Sequence, residues 1–354
     1  MQYEESRLQP ITLIDPLTTP RPRYAGDVPA LDNYGRRIDY LRISLTDRCN
    51  LRCVYCMPEH GMQFMPKDEL LRNDELIRVV RACAMVGFRK IRLTGGEPTL
   101  RRDLVTLVHD IKAIPGIEHI AMTTNAVKLA PIAHDLKQAG LDRVNISIDS
   151  LDAERFRVMT RGAKLSDVWD GITAAEAAGL LPIKLNMVVV RGLNDHDVLD
   201  MAALTLTHAW DMRFIEVMPL TGVADVANDG VVASSELITR IEAEFGPLRD
   251  LGMQDADPAH RYQIAHAKGS IGFISSVSEP FCSTCNRMRL TADGRLHLCL
   301  LRDDEVDLRA ALRSGVNDDE LQQIVRHAVA IKPWGHGLAQ SILPTVRGMS
   351  ALGG

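Results

Sequence analysis

The sequence predicts an α/β protein: a partial (β/α)6, TIM-like barrel followed by a smaller C-terminal α+β domain. Three observations carry that. From Ile38 onward, short apolar runs of strand length alternate with amphipathic helical patterns, which implies parallel pairing through right-handed crossovers. Six such units occur, and no G-x-G-x-x-G follows the first strand, which weighs against a doubly wound dinucleotide-binding sheet. The chemically unusual residues fall just after strand ends, where barrel enzymes collect their chemistry.

The expected strands are IDYLRISL (38–45), KIRLTG (90–95), HIAMTT (119–124), RVNISID (143–149), IKLNMVVV (183–190) and MRFIEVM (212–218). Between them lie helical stretches such as ELIRVVRACAMVGF and LVTLVHDIKAI; Asp195 and Asp197 precede another, VLDMAALTL. Ser150 and Asp152 suit the start of the helix that follows the fourth strand. The pattern changes after about residue 225. Segment 262–300 is richer in short β-like runs, and a helical pair follows near 306–313 and 318–331. The expected organisation is an extended arm (1–37, with five prolines), a barrel (38–225) and a smaller domain covering it (226–354).

Composition narrows the function. The 354 residues are 46% hydrophobic and 25% charged, as in soluble globular proteins. Net charge is −5, so no overall basic field invites nucleic acid. No apolar run approaches the roughly 20 residues of a membrane span. Seven cysteines, an odd and sparse number with no secretory stretch ahead of them, argue against a disulfide framework and for a reducing cytoplasm.

Cys49, Cys53 and Cys56 follow the first strand with the spacing C-x3-C-x2-C. Three thiolates this close suit an iron–sulfur cluster. A four-iron cube has one more corner than this triad has ligands, so one iron is left for a small molecule. Zinc is the competing reading, but it wants four closed ligands, and only His60 is nearby. LTGGEP (93–98) ends the second strand, and its glycines permit close backbone approach. SIDS (147–150) ends the fourth strand with a hydroxyl and a carboxylate, and Met218 closes the sixth. Cys83 lies in an amphipathic pattern and reads as a buried structural thiol.

A second group, Cys282, Cys285 and Cys299, has the spacing C-x2-C-x13-C. Here His297 could complete a zinc set, and spacing alone does not decide between zinc and a cluster. Arg287 and Arg289 stand between these cysteines. Their planar forks favour an anionic ligand with phosphate-like oxygens.

The first triad, with Tyr55 before its last cysteine, resembles the signature of the radical S-adenosylmethionine superfamily. The ordered set DRCNLRCVYCMP, RLTGGEPTLRRD, MTTNAVKL, NISIDSLD, KLNMVVVRGLND, FIEVMP, FCSTCNRMRLTADGRLHLCL and a terminal Gly353–Gly354 is more specific. It resembles the molybdenum cofactor biosynthesis protein A family of GTP 3′,8-cyclases over about residues 35 to 354. The resemblance implies a lyase with two [4Fe-4S] clusters, one on each triad, and S-adenosylmethionine on the first. It implies an adenosylmethionine pocket containing Tyr55, Gly96, Ser147 and Met218. It implies GTP contacts from Arg42, Arg92, Thr123, Lys184, Arg287 and Arg289, with Arg213 as a phosphate candidate; Thr123 is preferred to Thr124 on spacing. The double-glycine tail is expected to reach the active site and support catalysis. The implied partners are GTP, an electron donor, and the next pathway enzyme, cyclic pyranopterin monophosphate synthase. Nucleic acid and membrane are not expected, and a homodimer is left open. The competing readings are another radical enzyme with an auxiliary cluster, such as a peptide maturase, and a non-enzymatic iron–sulfur or zinc sensor.

Overall fold

The computed structural model describes residues 13–14, 30–59, 62–220, 223, 226, 229–253, 257–338 and 343–353. His60, Gly354 and most of the expected arm lie outside them.

One thirteen-stranded sheet organises the described chain. After the two-residue β1 (Leu13–Ile14) come β2 (Tyr40–Ser44), β3 (Lys90–Thr94), β4 (His119–Thr124), β5 (Arg143–Ser147), β6 (Lys184–Val189) and β7 (Asp211–Glu216). These last six pair in sequence order and all in parallel. The crossovers are α1 (Asn73–Val86), α2 (Leu104–Lys112), α3 (Ala133–Gln138), α4 (Ala153–Thr160) with α5 (Leu165–Ala177), and α6 (Val198–Thr207). The predicted strands are therefore present, each ending within a few residues of its expected limit. The sixth stops at Glu216, so Met218 sits in the loop beyond it.

Local chemistry sets the helix ends. α1 starts on a capping box in which Arg72 N–H donates to the Glu75 carboxylate at 2.9 Å, and it stops at Gly87 with φ of 118°. Asp152 caps α4 by accepting from Arg155 N–H at 2.7 Å. Ser150 acts one step earlier, its hydroxyl accepting from Asp152 N–H at 3.0 Å. Cys83 is buried on α1, as expected, and burial pushes its thiol up to about 12.

An open barrel has two unpaired edges, and unpaired strand edges invite association. The C-terminal strands close both. Beyond α7 (Ser234–Phe245) lie β8 (Arg249–Met253), β9 (His260–Gln263) and β10 (Ser270–Ile274), and β10 runs parallel to β7. On the other edge β11 (Arg287–Leu290) runs parallel to β2 and continues into β12 (Arg295–His297) and β13 (Glu305–Asp307) as an antiparallel meander. The C-terminal strands thus extend the barrel sheet from both sides. α8 (Leu308–Arg313), α9 (Asp318–Ala330) and the single turn α10 (Met349–Leu352) finish the described chain. Among the described residues no helix is long and apolar enough to cross a membrane.

Candidate active site

Strand alternation divides the barrel sharply. Leu41, Ile43, Leu93, Ile120, Met122, Val144, Ile146, Leu185, Met187 and Phe214 point outward into the core shared with the helices. Their neighbours Arg42, Arg92, Thr123, Arg143, Asn145, Ser147, Lys184, Asn186 and Arg213 line a cavity of about 550 Å³. A closed (β/α)8 barrel fills this space with branched apolar side chains. Here these inward strand positions carry polar side chains, arginine and lysine foremost among the charged ones. Arg289, Arg42 and Arg92 lie in register on three adjacent parallel strands. Deeper along the wall, Lys184 Nζ donates to Asp211 at 2.9 Å, and Arg213 bridges Asp211 and Asp257 at 3.0 and 2.6 Å.

Topology places the two triads at opposite ends of the barrel. Cys49, Cys53 and Cys56 follow the C-terminal end of β2. Cys285 just precedes β11, which runs parallel to β2 with Arg287 opposite Tyr40. β12 returns antiparallel, with His297 opposite Arg289, so Cys299 comes back to the same N-terminal end. All six cysteines are unoxidised and line the one cavity.

The first cysteine loop is laced to the GGE turn through backbone. Gly96 N–H donates to Thr46 O at 2.6 Å, and Glu97 N–H to Arg48 O at 2.8 Å. A Cβ on Gly96 would stand 2.1 Å from Arg48 O, so only glycine permits this approach. The Glu97 carboxylate is already engaged: it accepts from the Thr124 hydroxyl at 2.6 Å and from Asn125 N–H at 2.8 Å. It ties the β3 and β4 loops together. Burial raises its pKa, and those donors oppose the rise. Tyr55 donates its hydroxyl to Asp149 at 2.8 Å, and Asp149 also accepts from Val188 N–H at 3.1 Å. Burial lifts Asp149 to about 6.

The tail reaches the same end. Gly353, with φ of +74°, packs so tightly that a Cβ would meet Thr94 Cγ2 at 2.5 Å. Thr94, Gly95 and Met349 all line the cavity.

Comparison with known proteins finds two family models along the chain. Residues 43–205 match the Radical SAM superfamily, and residues 210–338 match Molybdenum Cofactor Synthesis C. The chain is 47% identical over 324 residues to the GTP 3′,8-cyclase of Pelotomaculum thermopropionicum, covering 91% of this chain and 99% of that protein. It is 45% identical over 325 residues to that of Moorella thermoacetica, with 91% and 99% covered. Against that of Nostoc punctiforme it is 47% identical over 327 residues, with 90% and 99% covered. The chain belongs to the GTP 3′,8-cyclase family. A solved structure of Streptococcus suis SuiB bound to S-adenosylmethionine shares the fold, with a TM-score of 0.53 at 13% identity over 75% of this chain and 60% of that one.

Family membership implies two four-iron clusters, and each triad presents three free thiols on the cavity wall to hold one. Burial pushes the Cys56 thiol up to about 12, with Cys49 adding to the rise, and Cys53 rises well above its ordinary value for the same first reason. Such thiols become thiolates only beside compensating positive charge, which iron supplies. Cys49 Sγ also receives Leu51 N–H at 3.3 Å and the Asn125 amide at 3.8 Å, the kind of contact that tunes cluster sulfur. At the other triad burial raises Cys285, but Arg287 and Lys332 outweigh it and hold the thiol near 6. Ligation by His297 is not supported there: it is absent from the cavity wall, with Nδ1 3.7 Å from Glu305.

Every residue that the sequence singles out for substrate or cofactor lines this cavity: Tyr55, Gly96, Ser147, Met218, Arg42, Arg92, Thr123, Lys184, Arg213, Arg287 and Arg289. Thr123 Oγ1 accepts from Arg92 at 3.4 Å, whereas the Thr124 hydroxyl is spent on Glu97. Sequence reasoning missed several supporting groups. Asp211 and Asp257 hold Lys184 and Arg213 from the wall. Lys332 is buried beside the second triad and donates to Leu298 O at 2.5 Å. Arg36 pairs with Asp32 at 2.7 Å and donates to Cys282 O, Trp334 O and Pro333 O at 2.6–2.8 Å, bolting the end of the arm to the second triad. Only the inward parity of Asp211 was available in the sequence as a signal. The other contacts cross gaps that local pattern does not span, 44 residues from Arg213 to Asp257, 34 from Lys332 to Leu298 and 246 from Arg36 to Cys282.

Proposed function

We propose that this protein is a GTP 3′,8-cyclase, converting GTP to 3′,8-cyclo-7,8-dihydro-GTP in the first step of molybdenum cofactor biosynthesis. The observation that carries this is a single cationic cavity running between two cysteine triads at opposite barrel ends. Cys49, Cys53 and Cys56 would hold the cluster that chelates S-adenosylmethionine, and Cys282, Cys285 and Cys299 the cluster that faces the guanine. When bound and given one electron from the donor, the first cluster would supply the chemistry for reductive cleavage of S-adenosylmethionine to methionine and a 5′-deoxyadenosyl radical, the agent for removing the ribose 3′ hydrogen.

The chain's own contribution is positioning. Tyr55, Gly96, Ser147 and Met218 would frame the adenosyl group. Arg42, Arg92, Lys184, Arg213, Arg287, Arg289 and Thr123 would hold the nucleotide by its anionic and polar groups. Fixing both ends of one substrate brings C3′ and C8 into attack range. A walled barrel excludes water and stray hydrogen donors. We assign residues 38–225 to the first half of this work and 226–354 to the second. The reading also calls for a one-electron donor, for hand-over of product to cyclic pyranopterin monophosphate synthase, and for a reducing cytoplasm.

The test is anaerobic reconstitution with dithionite, S-adenosylmethionine and GTP deuterated at C3′. Deuterium should appear in 5′-deoxyadenosine alongside a cyclised nucleotide. Deoxyadenosine without deuterium, and GTP recovered intact, would overturn the assignment.

A further inference from the structure

The segment that delivers the tail is seated in a buried acidic socket. Arg347 donates through Nε and Nη2 to the two oxygens of Glu305, at 2.8 and 3.1 Å. The same guanidinium donates through Nη1 and Nη2 to Asp293, at 3.2 and 3.0 Å. Both carboxylates are buried. Asp293 otherwise receives the Thr291 hydroxyl at 2.6 Å and faces Arg295 at 3.8 Å; Glu305 otherwise faces His297 at 3.7 Å. Removing one partner of such a buried set strands the others without compensation. Just upstream, Thr345 donates through N–H and hydroxyl to Asp303, each at 3.0 Å.

Asp293 lies in the turn joining β11 and β12, and Glu305 opens β13. The socket is therefore part of the same meander that carries Arg287 and Arg289. Downstream of the clamp there is no slack. α10 starts at once, its Ser350, Ala351 and Leu352 are buried, and Gly353 N–H donates to Met349 O at 2.9 Å. Gly353 then lands against Thr94 at the mouth of the GGE turn, where not even a methyl group fits.

We propose that Arg347 is a positioning residue for the cyclisation. Its clamp on Asp293 and Glu305 fixes where the tail begins, and so fixes how far Gly353 reaches toward the adenosylmethionine end of the cavity. The proposal rests on the reading that this cavity cyclises GTP. It adds a mechanical link between the meander that holds Arg287 and Arg289 and the turn beside the first cysteine triad.

Three variants of the full chain test it: Arg347→Ala, Arg347→Lys, and a glycine inserted after Gly348, which keeps the clamp but lengthens the reach. Arg347→Ala should lower kcat for cyclised nucleotide by roughly a hundredfold, the scale of an ångström-sized misplacement. KM for GTP and iron content should stay at wild-type values. Arg347→Lys should recover part of the loss, and the insertion should reproduce it. Amide hydrogen exchange at Leu352 and Gly353 should accelerate in Arg347→Ala. Wild-type kcat in the folded alanine variant, or loss of iron in parallel with activity, would overturn the proposal. If Arg347→Ala does not fold, the insertion decides: wild-type kcat there overturns the fixed reach. Should the wild type itself make no cyclised nucleotide, the functional reading fails, while the exchange comparison still judges the clamp.

Discussion

Arg42 and Arg289 stand directly opposite each other on neighbouring parallel strands, both buried from the helices and both facing the cavity. Each has an Nε with no hydrogen-bond partner among the described residues. Burial drives the Arg42 pKa well below its ordinary value, and Arg289 and then Arg92 push it further. Like charges held this close destabilise the ligand-free fold. A polyanion in the cavity reverses the sign of that effect. The strip is an example of stability given up for binding, which recurs at functional sites.

Arg42→Gln should therefore separate the two roles. Without ligand the variant should melt at or above the wild-type temperature. With GTP it should bind more weakly by roughly ten- to a hundredfold, since a hydrogen bond between charged groups is worth about 1.5–3 kcal/mol. S-adenosylmethionine affinity should not change. Calorimetric titration of both ligands checks this, and retained GTP affinity would show that the strip serves something other than the nucleotide.

The two triads should fail differently. Cys53→Ala should abolish deoxyadenosine formation with or without GTP, because the ligand set for the adenosylmethionine cluster is broken. Cys285→Ala leaves the GGE turn, Tyr55 and Ser147 untouched at the other end of the barrel. It should keep uncoupled S-adenosylmethionine cleavage and form no cyclised nucleotide. Mössbauer spectra of the wild type should show two four-iron sites; one site alone would remove the second assignment.

Much of this site was legible because the sequence states spacing and motif order directly. The first cysteine triad is local and speaks for itself, whereas Arg42, Arg92, Lys184 and Arg213 came from the ordered motifs and the family they resemble; the structure then puts all four at inward positions of strands whose outward positions are apolar. The C-terminal region was harder to read. Nothing near Arg287 indicates that its strand pairs with Tyr40, so the expected cover became an extension of the barrel sheet at both edges. Pairing of that kind is non-local, and local pattern cannot specify it. The same limit hid Arg36 on Cys282 and Arg347 on Asp293 and Glu305. Glu97 illustrates a subtler limit: the motif was visible, but its carboxylate proved to brace Thr124 and Asn125.

Glu305 should shape the acid limb of stability. Burial alone would raise its pKa, but His297 and Arg347 outweigh that and hold it near 2 against an ordinary 4.5. A carboxyl depressed on folding stabilises above its unfolded value and loses that contribution as pH falls toward the folded one. The shift corresponds to about 3 kcal/mol at neutral pH. In urea denaturation, the gap between wild type and Glu305→Gln should shrink as pH falls below about 4.5. A gap independent of pH down to 3 would mean that the glutamate acts through packing alone.

Gly96 offers the sharpest test of how the adenosylmethionine end is built. Its missing side chain lets the GGE turn lie on the cysteine loop, with Thr46 O accepting at 2.6 Å and Arg48 O at 2.8 Å from successive backbone amides. A methyl group there would fall 2.1 Å from Arg48 O and 2.4 Å from its carbonyl carbon. Both are rigid backbone atoms, so the two loops must part. The displaced loop is the one that carries Cys49, and Asn125 would lose its contact with that sulfur. Gly96→Ala should therefore lower iron retention at the first triad and weaken S-adenosylmethionine binding by roughly tenfold or more, the cost of one or two lost hydrogen bonds. GTP affinity, set by arginines within the strands rather than in this turn, should hold within a few-fold. Equilibrium binding of each ligand to the reconstituted variant, with iron counted per chain, makes the comparison. Wild-type S-adenosylmethionine affinity with full iron would show that the two loops can separate without consequence, and that Gly96 is not what holds this end together.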